Sequence, residues 1–328
     1  MSSQDINFVY CFDENYNVQA NNSINSILDK TTEKINIYII HRKPKSFAVY
    51  LERIKKRKNL KKINIYEFKN HEMLQTFPRV FKTHISEATY YRFFIEQYLP
   101  KDINFVTYLD ADIICINSPV EILRNQIKLI SESEYLIAAK TETFIDENYK
   151  NIDNNFRLDL KSKKYFNAGV MVIYYKKWLE NSTSSKLLEE LNRIKDDVYY
   201  WDQDVLNSYF DGDYIELSEY LNYNLHLTKN DFFDKRSKNE KNEISLIHYA
   251  GSYKPWSVRG IYNPKSIYYQ DQHMKLNNNN YHIVNTWRPD ALLRFVQGIF
   301  TFRFIFIKKP IKFIVGVFIS LLKSNKKK

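Results

Sequence analysis

The 328-residue sequence predicts an α/β fold, and three observations carry that expectation. Short β-branched and aromatic runs alternate with longer stretches of helical period. One apolar run, Asn104 to Leu109, ends in two carboxylates, Asp110 and Asp112, as strands do at the ligand-binding edge of an open α/β sheet. Apolar residues make up 44% and aromatics 16%, enough for a full core and too many for a disordered chain.

Taken in order, strands are expected at 6–12, 35–41, 63–68, 105–109, 135–139, 168–175 and 245–248, each a run rich in Ile, Val, Phe or Tyr. Helices are expected at 18–28, 47–56, 86–98, 176–194 and 202–210, with a single turn at 120–123. No internal repeat is present. The polyasparagine run Asn277 to Asn280 reads as a solvated loop and puts a soft boundary near residue 280. A body, 1–280, is thereby separated from a tail, 281–328.

Composition excludes several classes. The six glycines (Gly169, Gly212, Gly251, Gly260, Gly298 and Gly316) are too scattered for a GxGxxG dinucleotide turn or a GxxxxGK phosphate loop. Cys11 and Cys115 can form neither a CxxC zinc site nor a disulfide framework, and they suit a reducing cytosol. The first residues lack the basic start and apolar run of a signal peptide.

The net charge of +11 invites a nucleic-acid reading, but its distribution opposes one. From Arg288 onward ten basic side chains face one acid, Asp290, which leaves the first 287 residues close to neutral. No nucleic-acid partner is expected. The same tail is rich in Phe, Ile and Leu, interrupted by Arg294, Gln297, Arg303 and Lys308-Lys309-Pro310. No uncharged stretch of about 18 apolar residues exists, so a spanning helix fits poorly. A basic amphipathic segment lying in the headgroup layer of an anionic membrane fits better, at about 1 kcal/mol per basic residue. The alternative is a C-terminal helix packed on the body or on another subunit.

Strand alternation would point Asp110 and Asp112 the same way, and two hard oxygen ligands suit Mn²⁺ or Mg²⁺ with phosphate oxygens completing the shell. Aspartates also end strands without any metal. A haloacid-dehalogenase-type phosphatase is disfavoured, because Ile114 stands where Thr or Val is usual and the motif does not follow the first strand.

Six blocks then occur in a fixed order. They are Phe12-Asp13-Glu14-Asn15-Tyr16, His84-Ile85-Ser86-Glu87-Ala88-Thr89-Tyr90-Tyr91-Arg92, Leu109-Asp110-Ala111-Asp112, Phe166-Asn167-Ala168-Gly169-Val170, Trp201-Asp202-Gln203-Asp204-Val205-Leu206-Asn207, and His248 to Trp256. In this the chain resembles glycosyltransferase family 8, the retaining galactosyl- and glucosyltransferases that include bacterial lipopolysaccharide and lipooligosaccharide enzymes. The resemblance spans roughly residues 6 to 256 and implies a GT-A-type, Rossmann-like nucleotide-sugar-binding fold with a mixed central sheet.

The resemblance also implies roles. Asp110, Asp112 and His248 match the family's metal ligands, and imidazole with two carboxylates is acceptable to Mn²⁺. Asp13, Asn15 and Tyr16 would hold a uracil ring, the alternative being an N-cap before the helix at 18–28. Ala111 joins the two metal-binding aspartates, and His84 lines the site. Arg92 lies near the donor sugar, where it can neutralise phosphate or bridge neighbouring carboxylates. Asn167, Ala168 and Gly169 face the sugar, Asp202 binds its hydroxyls, and Gln203 lies beneath the anomeric carbon. Gly251 admits the diphosphate backbone closely, and Lys254 offsets charge on the leaving UDP. An amide is a poor nucleophile, so Gln203 favours front-face substitution over a covalent intermediate. One departure stands out: the acidic residue expected after the strand following the DxD is Glu142, shifted from its usual place.

These implications add up to an Mn²⁺-dependent hexosyltransferase, cytoplasmic and peripheral on the inner face of the cytoplasmic membrane. The donor would be UDP-galactose or UDP-glucose and the acceptor a glycolipid oligosaccharide. A family-8 enzyme acting on a protein or soluble glycan, and a catalytically silent membrane-binding scaffold, are the alternatives.

Overall fold

The computed structural model describes residues 5–75, 77–78, 86–142, 154–225, 243–251, 253–284 and 289–325. Its elements begin with β1 (Ile6–Phe12), α1 (Asn17–Lys30), β2 (Ile35–His41), α2 (Ala48–Ile54) and β3 (Leu60–Glu67). A long 3-10 segment, Glu87–Phe94, precedes β4 (Phe105–Leu109), β5 (Ile113–Cys115), α3 (Val120–Ser131) and β6 (Ile137–Thr141). Next come β7 (Phe166–Tyr174), α4 (Tyr175–Glu180), α5 (Thr183–Ile194), α6 (Trp201–Phe210) and β8 (Ile215–Glu216). The chain continues with β9 (Tyr223–Asn224), β10 (Leu246–His248), α7 (Ile267–Leu276), α8 (Pro289–Phe300) and α9 (Pro310–Asn325).

Two compact units result. The first comprises Met1–Asn21, Thr31–Ala111 and Ser118–Asn222; the second comprises Asn22–Lys30, Asp112–Asn117 and Tyr223–Lys328.

The first unit holds a seven-stranded mixed sheet in the order β3-β2-β1-β4-β7-β6-β8. β1 and β2 are buried along their whole length, which is why they read as largely apolar runs rather than alternating ones, with Asn7 hydrogen-bonded to Asn36 between them. β3 is an edge strand and carries exposed lysines, the usual protection against edge-to-edge pairing. β4 runs parallel to β1 but antiparallel to β7, with Leu109 opposite Val170. β6 is antiparallel to β7 as well. The carboxyl ends of β1, β4 and β6 therefore share one sheet edge with the start of β7. That edge is where the chemistry collects.

Three expectations need adjustment. The turn at 120–123 is a full helix of 12 residues, its apolar face carried on by Ile130. The helix expected at 176–194 breaks into two at Ser182, whose φ of +51° is left-handed. The helix expected at 86–98 is 3-10 over most of its length. In addition β5, too short to register as a periodic run, has no counterpart among the expected strands.

The second unit has a three-stranded sheet, β5-β10-β9, in which β10 is antiparallel to β5 with His248 opposite Ile113. Within the same unit Ala291, Phe295, Phe313 and Val317 of α8 and α9 share a small core with Val258, Ile261, Met274 and Tyr281. Gly298 lies against the Tyr262 ring, so close that a Cβ there would meet ring atoms at 2.4 Å. Lys308 pairs with Asp271 at 2.8 Å. Both helices nevertheless keep a second apolar face exposed. Twelve of the eighteen large exposed apolar side chains among the described residues lie between Leu292 and Leu322. No helix among the described residues is long and apolar enough to cross a membrane.

Candidate active site

The register of β4 on β7 carries Asp110 past the end of its strand, where its N–H donates to the Gly169 carbonyl at 2.8 Å. Its carboxylate accepts from Tyr108 Oη at 2.7 Å and from Arg92 Nη2 at 2.8 Å. Arg92 sits buried on the 3-10 segment, its guanidinium 3.9 Å above the Tyr108 ring. It donates Nη1 to the Ala168 carbonyl and Nε to the Thr89 carbonyl, and Nε also lies 2.8 Å from Asp202 Oδ2.

Of the two roles open from sequence, the structure gives Arg92 the bridge between carboxylates. Burial works against its charge, but Asp202, Tyr108 and Asp110 outweigh that and raise its pKa. Asp202 is pulled the other way: burial lifts its carboxyl to about 6 despite Arg92 beside it. Thr89 adds a hydrogen bond to Asp202. At neutral pH the pair is ionised, a fixed patch of alternating charge in a buried setting.

Gln203 is held on every side. Its Oε1 accepts from the Ala168 N–H at 3.0 Å, and its Nε2 donates to Glu142 Oε2 at 3.2 Å and Tyr165 Oη at 3.3 Å. Those partners fix which end of the amide is oxygen. Asn167 is equally engaged, its Oδ1 accepting from the Gly169 N–H and from Asn222, both at 3.0 Å. Glu142, the shifted acid, lies 3.5 Å from Asn167 Nδ2. It thus contacts two candidate sugar-facing residues, Asn167 and Gln203.

At the end of β1, Asp13 is an N-cap. It accepts from the Asn15 N–H at 2.9 Å and from Asn15 Nδ2 at 3.2 Å, and it is buried while Asn15 is exposed and Tyr16 half-buried. The cap is therefore of a 3-10 turn, Glu14–Tyr16, rather than of the helix expected at 18–28, and it holds the Asn15 side chain.

In the second unit Asp112 is buried beside His248 and Lys254. Lys254 Nζ lies 2.6 Å from Asp112 Oδ2 and 2.7 Å from the Tyr249 carbonyl. His248 Nε2 is 3.4 Å from Asp112 Oδ1. Burial would raise the Asp112 carboxyl, but Lys254 and His248 outweigh it and hold it far below the usual carboxylate range. Gly251 takes a φ of +79°, the left-handed region that favours glycine. Gly260 is required for a different reason. A Cβ there would lie 2.0 Å from the Lys254 carbonyl oxygen, so only glycine lets the Lys254 loop sit where it does.

Asp110 and Asp112 stand two residues apart on one turn. One ligand atom from each of them and one from His248 lie within 4.8 Å of one another. Asp112 Oδ1 is buried and faces His248 Nε2 at 3.4 Å, beyond a short hydrogen bond, which leaves its lone pairs able to take a cation. Two carboxylates and an imidazole are the donor set for Mn²⁺ or a comparable divalent ion, and the residues fit such an ion. Among the described residues no other trio of this kind occurs.

His84 lies outside the described residues. Thr89, Tyr108 and Tyr165 support candidate residues of the first unit and Gly260 the Lys254 loop of the second, and nothing in the sequence singles them out. Thr89 lies inside one of the six blocks, but only the fold reveals that it touches Asp202.

The sequence profile of glycosyl transferase family 8 matches residues 7–259. The chain is 31% identical over 282 residues to a lipopolysaccharide 1,2-glucosyltransferase of Escherichia coli K12, covering 82% of this chain and 78% of that one. A second Escherichia coli lipopolysaccharide 1,2-glucosyltransferase is 28% identical, with 76% and 73% covered. Among solved structures, galactosyltransferase LgtC in complex with donor and acceptor sugar analogues superposes with a TM-score of 0.66 at 21% identity, covering 87% of this chain and all of that one. That likeness establishes a GT-A-type fold. With the matched profile spanning most of its length, the chain belongs to glycosyl transferase family 8 and is a glycosyltransferase.

Proposed function

We propose that the protein transfers galactose or glucose from a UDP-sugar to the growing oligosaccharide of a lipopolysaccharide or lipooligosaccharide, with retained anomeric configuration and with Mn²⁺ as the metal. The observation that carries this reading is the Asp110, Asp112 and His248 cluster, with Lys254 adjoining Asp112. Residues 1–280 would form the catalytic domain and 281–328 a membrane-associating segment. The acceptor class follows from the relatives, two of which are lipopolysaccharide glucosyltransferases.

Asp110, Asp112 and His248 would hold the ion, and when bound it supplies positive charge to the diphosphate oxygens. Lys254 adds a fixed ammonium where negative charge accumulates as UDP leaves, worth roughly 10²–10³-fold in rate for a single well-placed donor. Asp13, Asn15 and Tyr16 would address the uracil, and Gly251 would let the backbone approach the diphosphate. Arg92, paired with both Asp110 and Asp202, offsets their mutual repulsion, so that Asp202 can accept from sugar hydroxyls while ionised. Gln203 has both amide hydrogens committed, to Glu142 and Tyr165, and one oxygen lone pair committed to Ala168. It can offer the sugar only the remaining lone pair. That suits electrostatic support of a ring carbon gaining positive charge, and it disfavours attack by the amide. The acceptor hydroxyl would therefore approach from the side on which UDP departs.

The exposed apolar face of α8 and α9, with Arg294, Arg303, Lys309 and Lys312 nearby in sequence, supports attachment to the anionic inner leaflet of the cytoplasmic membrane. There the active site would be held at the surface that carries its acceptor.

UDP release from a panel of UDP-sugars, with Mn²⁺ and with EDTA, tests the reading. Slow Mn²⁺-dependent hydrolysis of one donor is expected and would name the sugar. Absence of both turnover and UDP binding would overturn it.

A further inference from the structure

The block Trp201-Asp202-Gln203-Asp204 carries two carboxylates one residue on either side of Gln203, yet they sit in different surroundings. Asp202 meets Arg92 and Thr89. Asp204 is fully buried and takes no part in the arrangement proposed for the sugar. Its two oxygens accept five hydrogen bonds. Arg157 Nη1 and Nη2 reach Oδ2 and Oδ1 at 2.8 Å each, and Tyr165 Oη reaches Oδ1 at 2.7 Å. The backbone N–H groups of Tyr199 and Tyr200 both reach Oδ2 at 2.7 Å. Arg157 in turn donates to Asn154 Oδ1 and to the Asp197 carbonyl, and its guanidinium lies 4.8 Å from the Tyr199 ring centroid.

The chain segment so gripped is a strained one. Trp201, the residue before Asp202, has a φ of +49°, which a bulky L-residue adopts only when its surroundings enforce it. The same Tyr165 hydroxyl that donates to Asp204 accepts from Gln203 Nε2. A continuous path of hydrogen bonds thus runs from Arg157 through Asp204 and Tyr165 to the Gln203 amide.

We propose that Arg157 and Asp204 are positioning residues: their bidentate ion pair holds the left-handed turn at 199–201 and, through Tyr165, sets the orientation of the Gln203 amide. Neither needs to touch substrate. The inference rests on the transferase reading, in which Asp202 and Gln203 face the sugar. A planar guanidinium matters here, because an ammonium cannot contact both carboxylate oxygens and Asn154 in one plane.

The test uses the 328-residue chain with Arg157→Lys, and Asp204→Asn as a second variant should the first fail to fold. Donor turnover and the Kd of UDP with Mn²⁺ are measured where circular dichroism shows a folded protein, alongside amide hydrogen exchange. The expected result is a kcat lower by roughly 10- to 100-fold, as for a misplaced reacting group, with the UDP Kd within about threefold of the parent. Exchange should rise at 197–203 and at Ala168 and little elsewhere. An unchanged kcat, or a rise in exchange spread evenly over the first unit, would overturn the proposal. If the parent chain releases UDP from no donor, the transferase reading fails, and the exchange pattern still decides whether the ion pair holds the turn.

Discussion

The sheet edge of the first unit and the C-terminal helices of the second break opposite rules of protein packing. The edge buries charge: Arg92 and Asp202 lie almost wholly out of water, as do Arg157 and Asp204. The C-terminal helices expose grease, with Phe300, Ile311 and Leu322 all more than two-thirds exposed. Buried charge costs stability unless it is paired in good geometry, and a large exposed apolar patch costs solubility. In the first region the buried charges are paired, Arg92 with Asp202 and Asp110 and Arg157 with Asp204, which suits the chemistry proposed for it; in the second one helix face is packed and the other left bare, which suits the membrane attachment proposed for it.

The largest expected effect comes from removing a carboxylate proposed to bind the metal. Asp112→Ala should lower donor turnover by roughly 10³-fold or more, the several kcal/mol that a Lewis acid supplies. Its affinity for anionic vesicles should stay at the parent value in a sedimentation assay. A variant that loses both would break the division of labour between the two regions. Lys254→Met should cost roughly 10²-fold in kcat, measured as UDP release under saturating donor.

The converse variant sharpens the comparison. Replacing Leu293, Phe300, Ile311 and Leu322 by serine should reduce partition onto anionic vesicles by about 10²-fold or more, given roughly 25 cal/mol per Å² of apolar surface withdrawn. Because those side chains are more than half exposed, hydrolysis of the donor should be unaffected. Use of a lipid-linked acceptor in vesicles should fall with partition.

The smallest effect concerns a ring that the first unit buries uncharged. His41 Nδ1 accepts from the Lys43 N–H at 2.7 Å, and Nε2 faces Asn17 Oδ1 at 2.8 Å. Burial lowers its pKa to about 4, against the pull of Asp13 and Glu14. The unfolded chain, with an ordinary histidine near 6.5, therefore binds the proton first on acidification. Stability from this group is full above pH 6.5 and falls as pH drops toward 4, by about 2 kcal/mol between pH 7 and 5. His41→Asn should flatten that part of the pH profile in denaturant titrations.

Much of this architecture is legible in the residues. β1, β2 and β4 match the expected strands to the residue, because central strands buried on both faces leave largely apolar runs. The three candidate metal ligands can be named from their blocks, and they do come together. What escapes is of two kinds. The 3-10 segment from Glu87 to Phe94 repeats closely enough to an α-helix over eight residues that periodicity cannot separate them. The division of roles inside Asp202-Gln203-Asp204 is also hidden, since two identical side chains two positions apart differ only in what the fold brings to them. Glu142 lies between these cases: its shift is visible in the sequence, but its contact with Gln203 requires the register of β6 on β7.

Asp110, Asp112 and His248 are proposed to hold a divalent ion that recruits the nucleotide. Isothermal titration of UDP into the protein, with Mn²⁺ and again with EDTA, addresses this most directly. Tight binding is expected only with Mn²⁺, and it should be lost in Asp112→Ala at a temperature where circular dichroism shows that variant folded, since the lost pairing with Lys254 lowers its melting temperature. UDP binding of equal strength in EDTA, or undiminished binding by Asp112→Ala, would contradict it.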